Sequence, residues 1–240
     1  FSKVLRGIEH TAVENGYQVI LGDTENIIER EREYIDLLYQ KQVDGMVLLT
    51  ARSDKTHLEK ISNQFPMVLA CEYIDGLEIP TVSIDNVSSA RKVTEHLIKL
   101  GHTKIAHISG PMNVILSRDR FRGYEQAMMS YALNIDSAFI QEGDFSIESG
   151  YNQMIKLLSL ENAPTGVFVF NDEMALGAIK AVKDSGMKVP EDIGIVGFDN
   201  HNIATMFEPY ITTIDQPKYE IRKKAMNLLL KLMKGESLQK

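Results

Sequence analysis

The chain has a single cysteine, Cys71, in 240 residues, which excludes a disulfide framework and a thiolate metal cluster. No stretch approaches the about eighteen uninterrupted apolar residues that a membrane-crossing helix needs. The opening Phe1-Ser2-Lys3-Val4-Leu5-Arg6 has no basic segment ahead of an apolar core and no small-residue cleavage site, so it does not read as a secretory leader. A surplus of basic residues is missing as well: the net charge is −7, whereas a surface that neutralises phosphates is usually basic. These residues are therefore not expected to grip nucleic acid or a membrane themselves, and a cytoplasmic location is expected.

The common catalytic signatures are absent too. There is no G-x-G-x-x-G after a strand, no G-x-x-x-x-G-K-[ST] loop and no G-x-S-x-G elbow. His10, His57, His96, His102, His107 and His201 are scattered, none at metal-ligand spacing to another His or Cys. They read as surface or helix-end histidines, and no metal or cofactor is expected. Asn86-Val87-Ser88 matches a glycosylation triplet that is common by chance. An enzyme is not expected.

What the chain does have is core-forming material, 44% hydrophobic with 25% charged residues, as in ordinary globular proteins. Its clearest stretch is Thr165 to Asn200. The apolar run from Gly166 to Phe170 has the composition of a strand buried on both faces. Asn171-Asp172 can cap the helix that follows. Met174, Ala178, Ala181 and Val182 recur at helical spacing until Gly186 stops it. A second buried run, Ile193 to Phe198, ends on Asp199-Asn200. Strand, helix and strand in so short a space form a βαβ unit of a parallel sheet.

Both strands finish on polar side chains, and ligands of open α/β sheets sit beyond the carboxyl ends of the strands. Asn and Asp are also the usual caps and turn formers, so spacing alone leaves both readings open. Arg120, in SRDRFRGY just inside a helix start and flanked by Arg118 and Arg122, reads on its own first as a solvated helix charge.

The same alternation runs through the rest. Helices are expected at about 1–15, 27–40, 55–63, 88–100, 120–131, 147–158 and 218–234. Strands are expected at 17–21, 45–49, 67–70, 81–84, 104–109 and near Phe139. About ten strand candidates in this length suit two parallel sheets, covered on both faces, better than one.

The phrases FNDEMALGAIKAVKDSG, VPEDIGIVGFDN and ITTIDQP, in order and at these separations, resemble the effector domain of the lactose-repressor/galactose-repressor (LacI/GalR) family of bacterial transcription regulators. The resemblance covers essentially all of the chain. It implies an α/β fold of two Rossmann-like lobes of the type I periplasmic-binding-protein kind, residues 1–84 plus 216–240 and 85–215, with a small ligand held in the cleft between them. By resemblance Arg120 clamps the effector, Phe145 stacks on a sugar or base, Asn171 and Asp199 are the strand-end polar groups, Gln216 lies at the lobe crossing and Phe1 closes over the ligand. Phe145 reads equally as core packing without it. Replacing Arg120 by Ala is expected to remove effector affinity without unfolding the protein.

The family also has a strand and a helix-turn-helix domain ahead of the first helix. Neither precedes Phe1, so operator DNA would be bound through a domain not in this chain. A homodimer is implied, with apolar positions on the first helix as candidate contacts. The stretch CEYIDGLEIPTVSIDN looks most like the cytidine-regulator branch, which points to a nucleoside effector first and a pentose or hexose next. The competing expectation is a solute-binding protein of a sugar or nucleoside uptake system.

Overall fold

The structure, a computed structural model, describes residues 2–236. The chain divides into two compact units, Phe1–Ile84 with Pro217–Lys240, and Asp85–Gln216, so Gln216 falls with the second. Each unit holds one wholly parallel sheet between helices, an α/β architecture.

In the first unit the strands β1 (Met46–Leu48), β2 (Met67–Ala70) and β3 (Thr81–Val82) lie in that order. All four residues of the central β2 are buried, as both faces of a parallel strand must be. Side chains alternate across a strand, and the two covering layers divide accordingly. Val68 and Ala70 pack with Ile8 and Ala12 of α1 (Ser2–Glu14) and with Ala225, Met226, Leu229 and Leu230 of α8 (Lys218–Met233). Met67 and Leu69 pack with Ile35 and Leu38 of α2 (Ile28–Tyr39) and with Leu58 and Ile61 of α3 (Lys55–Ser62).

The second unit orders its strands β5 (Ile140–Glu142), β4 (Ile105–Ser109), β6 (Gly166–Val169), β7 (Gly194–Val196). After β5 pairs on one side of β4, the chain returns to pair β6 on the other, so the order reverses at the β4/β6 pair. That reversal is where an open α/β sheet offers a crevice beyond its carboxyl ends. One face carries α6 (Ile147–Leu158) and α7 (Asp172–Asp184) over Ala106, Ile108, Val167 and Val169. Tyr124, on α5 (Ile115–Ser130), is fully buried and donates its hydroxyl to the Ile105 carbonyl at 2.8 Å. Gly123, one residue earlier, lets α5 approach α4 (Asn86–Lys99) closely, since a Cβ there would overlap the Val87 carbonyl oxygen.

The structure differs from the sequence reading at three places. Residues 17–21 form no strand: Val19, Ile20 and Leu21 are exposed, and the segment pairs with no strand among the described residues. A run of β-formers makes a strand only where a neighbour accepts its hydrogen bonds. Helix α5 starts five residues before Arg120, behind Val114, which supplies no side-chain cap and so no sequence signal. The strand expected near Phe139 does form, at Ile140–Glu142, directly after a short 3-10 turn that ends on Phe139. His107 is no surface histidine: it lies within β4, fully buried and stacked on Phe168 at 4.6 Å and on Tyr124 at 5.5 Å.

Candidate functional site

Arg120 occupies the second turn of α5 and is only 2% exposed. Its Nε donates to Asn86 Oδ1 at 3.1 Å, its Nη1 to the Phe170 carbonyl at 2.6 Å and its Nη2 to Asp199 Oδ1 at 3.0 Å. The guanidinium carbon lies 3.8 Å from the Phe198 ring centroid and 4.3 Å from that of Phe170. A buried cation survives only when paired and bonded in this way. The planar fork matches its acceptors, and its faces meet aromatic rings. Asn86, Phe170 and Asp199 belong to the start of α4, the tip of β6 and the loop after β7, so one side chain ties three elements together at the carboxyl end of the sheet.

Asp199 is held from two sides, because its Oδ1 also accepts from Gln216 Nε2. Its own N–H donates to the Ile214 carbonyl at 3.0 Å, and Asp199 pairs with Asp215 in a parallel bridge. The backbone at Asp199 has φ +102°, a region that non-glycine residues enter only when their surroundings hold them there. Its side chain keeps 25% of its surface exposed, which leaves an edge of the carboxylate open to solvent beside a buried positive charge.

Asn171 caps α7, its Oδ1 accepting the Met174 N–H at 2.8 Å, while its Nδ2 reaches the Phe145 carbonyl only at 3.4 Å. Phe145 is half-buried with φ +76°, and its ring is tilted on Phe170 with centroids 5.1 Å apart. Arg120, Phe145, Asn171, Asp199 and Gln216 are thus joined by direct contacts through Phe170. Phe1 lies outside the described residues. Asn200 turns elsewhere, to Asp215 at 3.0 Å. Asp172 is buried and accepts the His201 N–H at 2.6 Å; Gly197 makes room, since a Cβ there would overlap the Asp172 carboxylate.

Sequence reasoning missed three participants. Asn86 appears in the sequence only as part of a chance triplet, although its place after the Asp85 cap put it at a helix start. The Phe170 carbonyl carries no sequence signal, because every residue has one. Phe198 reads as the last residue of a buried strand, and nothing in that pattern distinguishes a ring that supports a cation. Among the described residues no group of three or more His, Cys, Asp or Glu is placed to hold a metal ion. No described helix is long and apolar enough to cross a membrane.

Residues 94–240 match the model of a family described as periplasmic binding protein-like domain. Over 237 residues the chain is 44% identical to the HTH-type transcriptional repressor CytR of Escherichia coli, covering 98% of this chain and 70% of that one. The chain belongs to the LacI family of transcriptional regulators. The crystal structure of the transcription regulator CcpA of Lactococcus lactis superposes with a TM-score of 0.92 at 33% identity, over all of this chain and 88% of that one. A complex of the transcriptional regulator CelR with cellobiose superposes at 0.88 and 28% identity, over 99% of this chain and 73% of that one. These likenesses support a regulatory, effector-binding domain of the LacI family and do not favour a transport protein.

Proposed function

We propose that this chain senses a small hydroxyl-rich metabolite, a nucleoside first and a pentose or hexose next, at the carboxyl tips of β4 and β6. The observation that carries this is the cluster in which the buried Arg120 guanidinium is bonded to the Asp199 carboxylate, which keeps 25% of its surface exposed, and is linked through the Phe170 ring to Phe145. Paired hydroxyls suit a carboxylate acceptor and a guanidinium donor, with charge-assisted bonds of about 1.5–3 kcal/mol each. An aromatic ring can cover a base or the apolar face of a sugar. The nucleoside preference is supported by the 44% identity to CytR together with CEYIDGLEIPTVSIDN.

In this reading the chain is the effector part of a homodimeric cytoplasmic repressor, whose operator DNA is bound by a helix-turn-helix domain outside this sequence. The effector acts by its differential affinity for two forms of the protein. A second copy suits the apolar groove lined by Ile147, Leu176, Ile179, Phe207 and Pro209 in the second unit, and Val13 stands exposed on α1. Titration calorimetry with cytidine, adenosine, uridine, ribose and glucose tests the effector class. Heat from a nucleoside alone fits the first choice, heat from a sugar alone fits the second, and none from any of them removes the proposal. Sedimentation at tens of micromolar tests the dimer, which a strictly monomeric profile refutes.

A further inference from the structure

We infer that Ser117 is a further effector contact and specificity determinant of this site, its hydroxyl kept for a hydroxyl of the ligand and screened by Phe145 in the state described. The inference rests on the proposed function above and names a residue outside the Arg120 cluster, one that opens the SRDRFRGY stretch but has no role in the sequence reading.

Three observations place Ser117. It is fully buried on α5, and its Oγ makes no hydrogen bond. A desolvated hydroxyl without a partner is costly, and native interiors rarely keep one. It sits three residues before Arg120, on the same face of the helix, so both side chains are directed to the same end of the sheet. Finally, a Cβ placed on Gly110 would lie 2.8 Å from Ser117 Oγ and would overlap Phe145 Cε1. The hydroxyl, the backbone just past β4 and the edge of the Phe145 ring therefore meet at one point. That point is the β4/β6 reversal of strand order, where a ligand is expected on topological grounds alone.

The ring over the hydroxyl packs against the core without being enclosed by it. Phe145 has a left-handed backbone (φ +76°), its carbonyl receives only the 3.4 Å bond from Asn171, and its ring is half-buried against Phe170. Bulky residues adopt that backbone only under constraint. Turning this ring uncovers the hydroxyl and offers its face to the ligand. The lack of a side chain at Gly110 keeps the approach clear. Arg120 and Asp199 then bind hydroxyls that every nucleoside and sugar shares, while Ser117 selects by position, accepting the ligand that puts a hydroxyl at the end of β4. A site that reserves a buried polar group for one ligand group discriminates strongly against analogues lacking it.

The experiment compares the wild-type protein with Ser117→Ala by calorimetry and thermal unfolding. Cytidine, its 2′-, 3′- and 5′-deoxy analogues, ribose and 2-deoxyribose serve as probes. Removal of the hydroxyl is expected to weaken the wild-type ligand roughly tenfold. One deoxy analogue should lose affinity for the wild type but bind the variant no worse than the parent compound does, a non-additive cycle. Without ligand, Ser117→Ala should melt roughly 2–4 °C higher, since an unsatisfied buried group has gone. Strictly additive losses for every analogue, or an unliganded melting point unchanged or lower, overturns the inference. If the wild type binds none of the probes, the effector class proposed above falls, and the unliganded melting point alone decides on Ser117.

Discussion

Arg120 Nη2 and Gln216 Nε2 converge on the same oxygen, Asp199 Oδ1. The positive charge of α5 is therefore secured before any ligand arrives, which alters the expectation for its removal. Arg120→Ala would leave Asp199 without its cation and the Phe170–Phe198 ring pair without its filling. Breaking a buried pair in this way costs about 3–5 kcal/mol, so the substitution should destabilise the second unit as well as abolish effector binding. That replaces the sequence-based expectation of lost affinity without unfolding. Arg120→Lys keeps the charge but loses the fork. It should remain folded in urea titrations near the wild-type midpoint and still bind effector at least tenfold more weakly by calorimetry.

How much of this was legible beforehand depended on whether the signal was local. Helices with a capping residue and an apolar stripe were placed within a residue or two: α6 behind Ser146, whose hydroxyl accepts the Ser149 N–H, and α7 behind Asn171. Helix α5 has no such cap, and its start was set five residues late. Strands β2 and β6, buried on both faces, announce themselves as apolar runs. Residues 17–21 share that composition, but strand formation is decided by a partner, which local pattern does not encode. Of the cluster, Arg120, Asn171, Asp199 and Gln216 are named by the sequence reading, whereas the Asn86 amide, the Phe170 carbonyl and the ring beneath the guanidinium depend on tertiary placement.

Burial lowers the His107 imidazole from 6.5 to about 4, the nearby Arg120 charge adding to this, while the hydrogen bond to the Phe168 carbonyl opposes it. The unfolded chain therefore takes up a proton between pH 6.5 and 4 that the folded chain refuses. The stabilisation is fully present above pH 6.5 and drains as the pH falls through that window. At pH 5 His107 should have withdrawn about 2 kcal/mol relative to pH 7. The measurement is urea unfolding at both pH values for the wild type and His107→Phe, which keeps the stack with Phe168 and Tyr124. A pH dependence equal in the two proteins would refute the assignment.

Arg222 on α8 is 6% exposed, and its Nε and Nη1 make no hydrogen bond. Burial pulls its pKa below the usual arginine value, partly opposed by Cys71. Replacing a poorly satisfied buried cation by an apolar side chain of similar length is often stabilising, by roughly 1–4 kcal/mol. Arg222→Met should accordingly raise the urea midpoint, and effector affinity at the Arg120 cluster in the other unit should stay as it is. A lower midpoint would mean that the guanidinium is satisfied in solution.

Helices α6 and α7 meet backbone to backbone at Gly177. A Cβ there would overlap the Ile147 carbonyl oxygen and lie 2.8 Å from the Tyr151 nitrogen, neither of which can turn aside as a flexible side chain would. Gly177→Ala gains helix propensity of up to about 1 kcal/mol, but the overlap forces α6 off the sheet face where Met154 and Leu157 are buried. Overpacking of that kind costs typically 1–3 kcal/mol and more when backbone must move. The net expectation is destabilisation by about 2 kcal/mol in urea unfolding. At Gly186, φ is +78° but nothing lies within 4 Å of an added Cβ, so Gly186→Ala should cost only the roughly 1 kcal/mol of a left-handed backbone. The difference between the two variants isolates the close approach of the helices from the conformational freedom of glycine, and equal losses would show that no such contact exists.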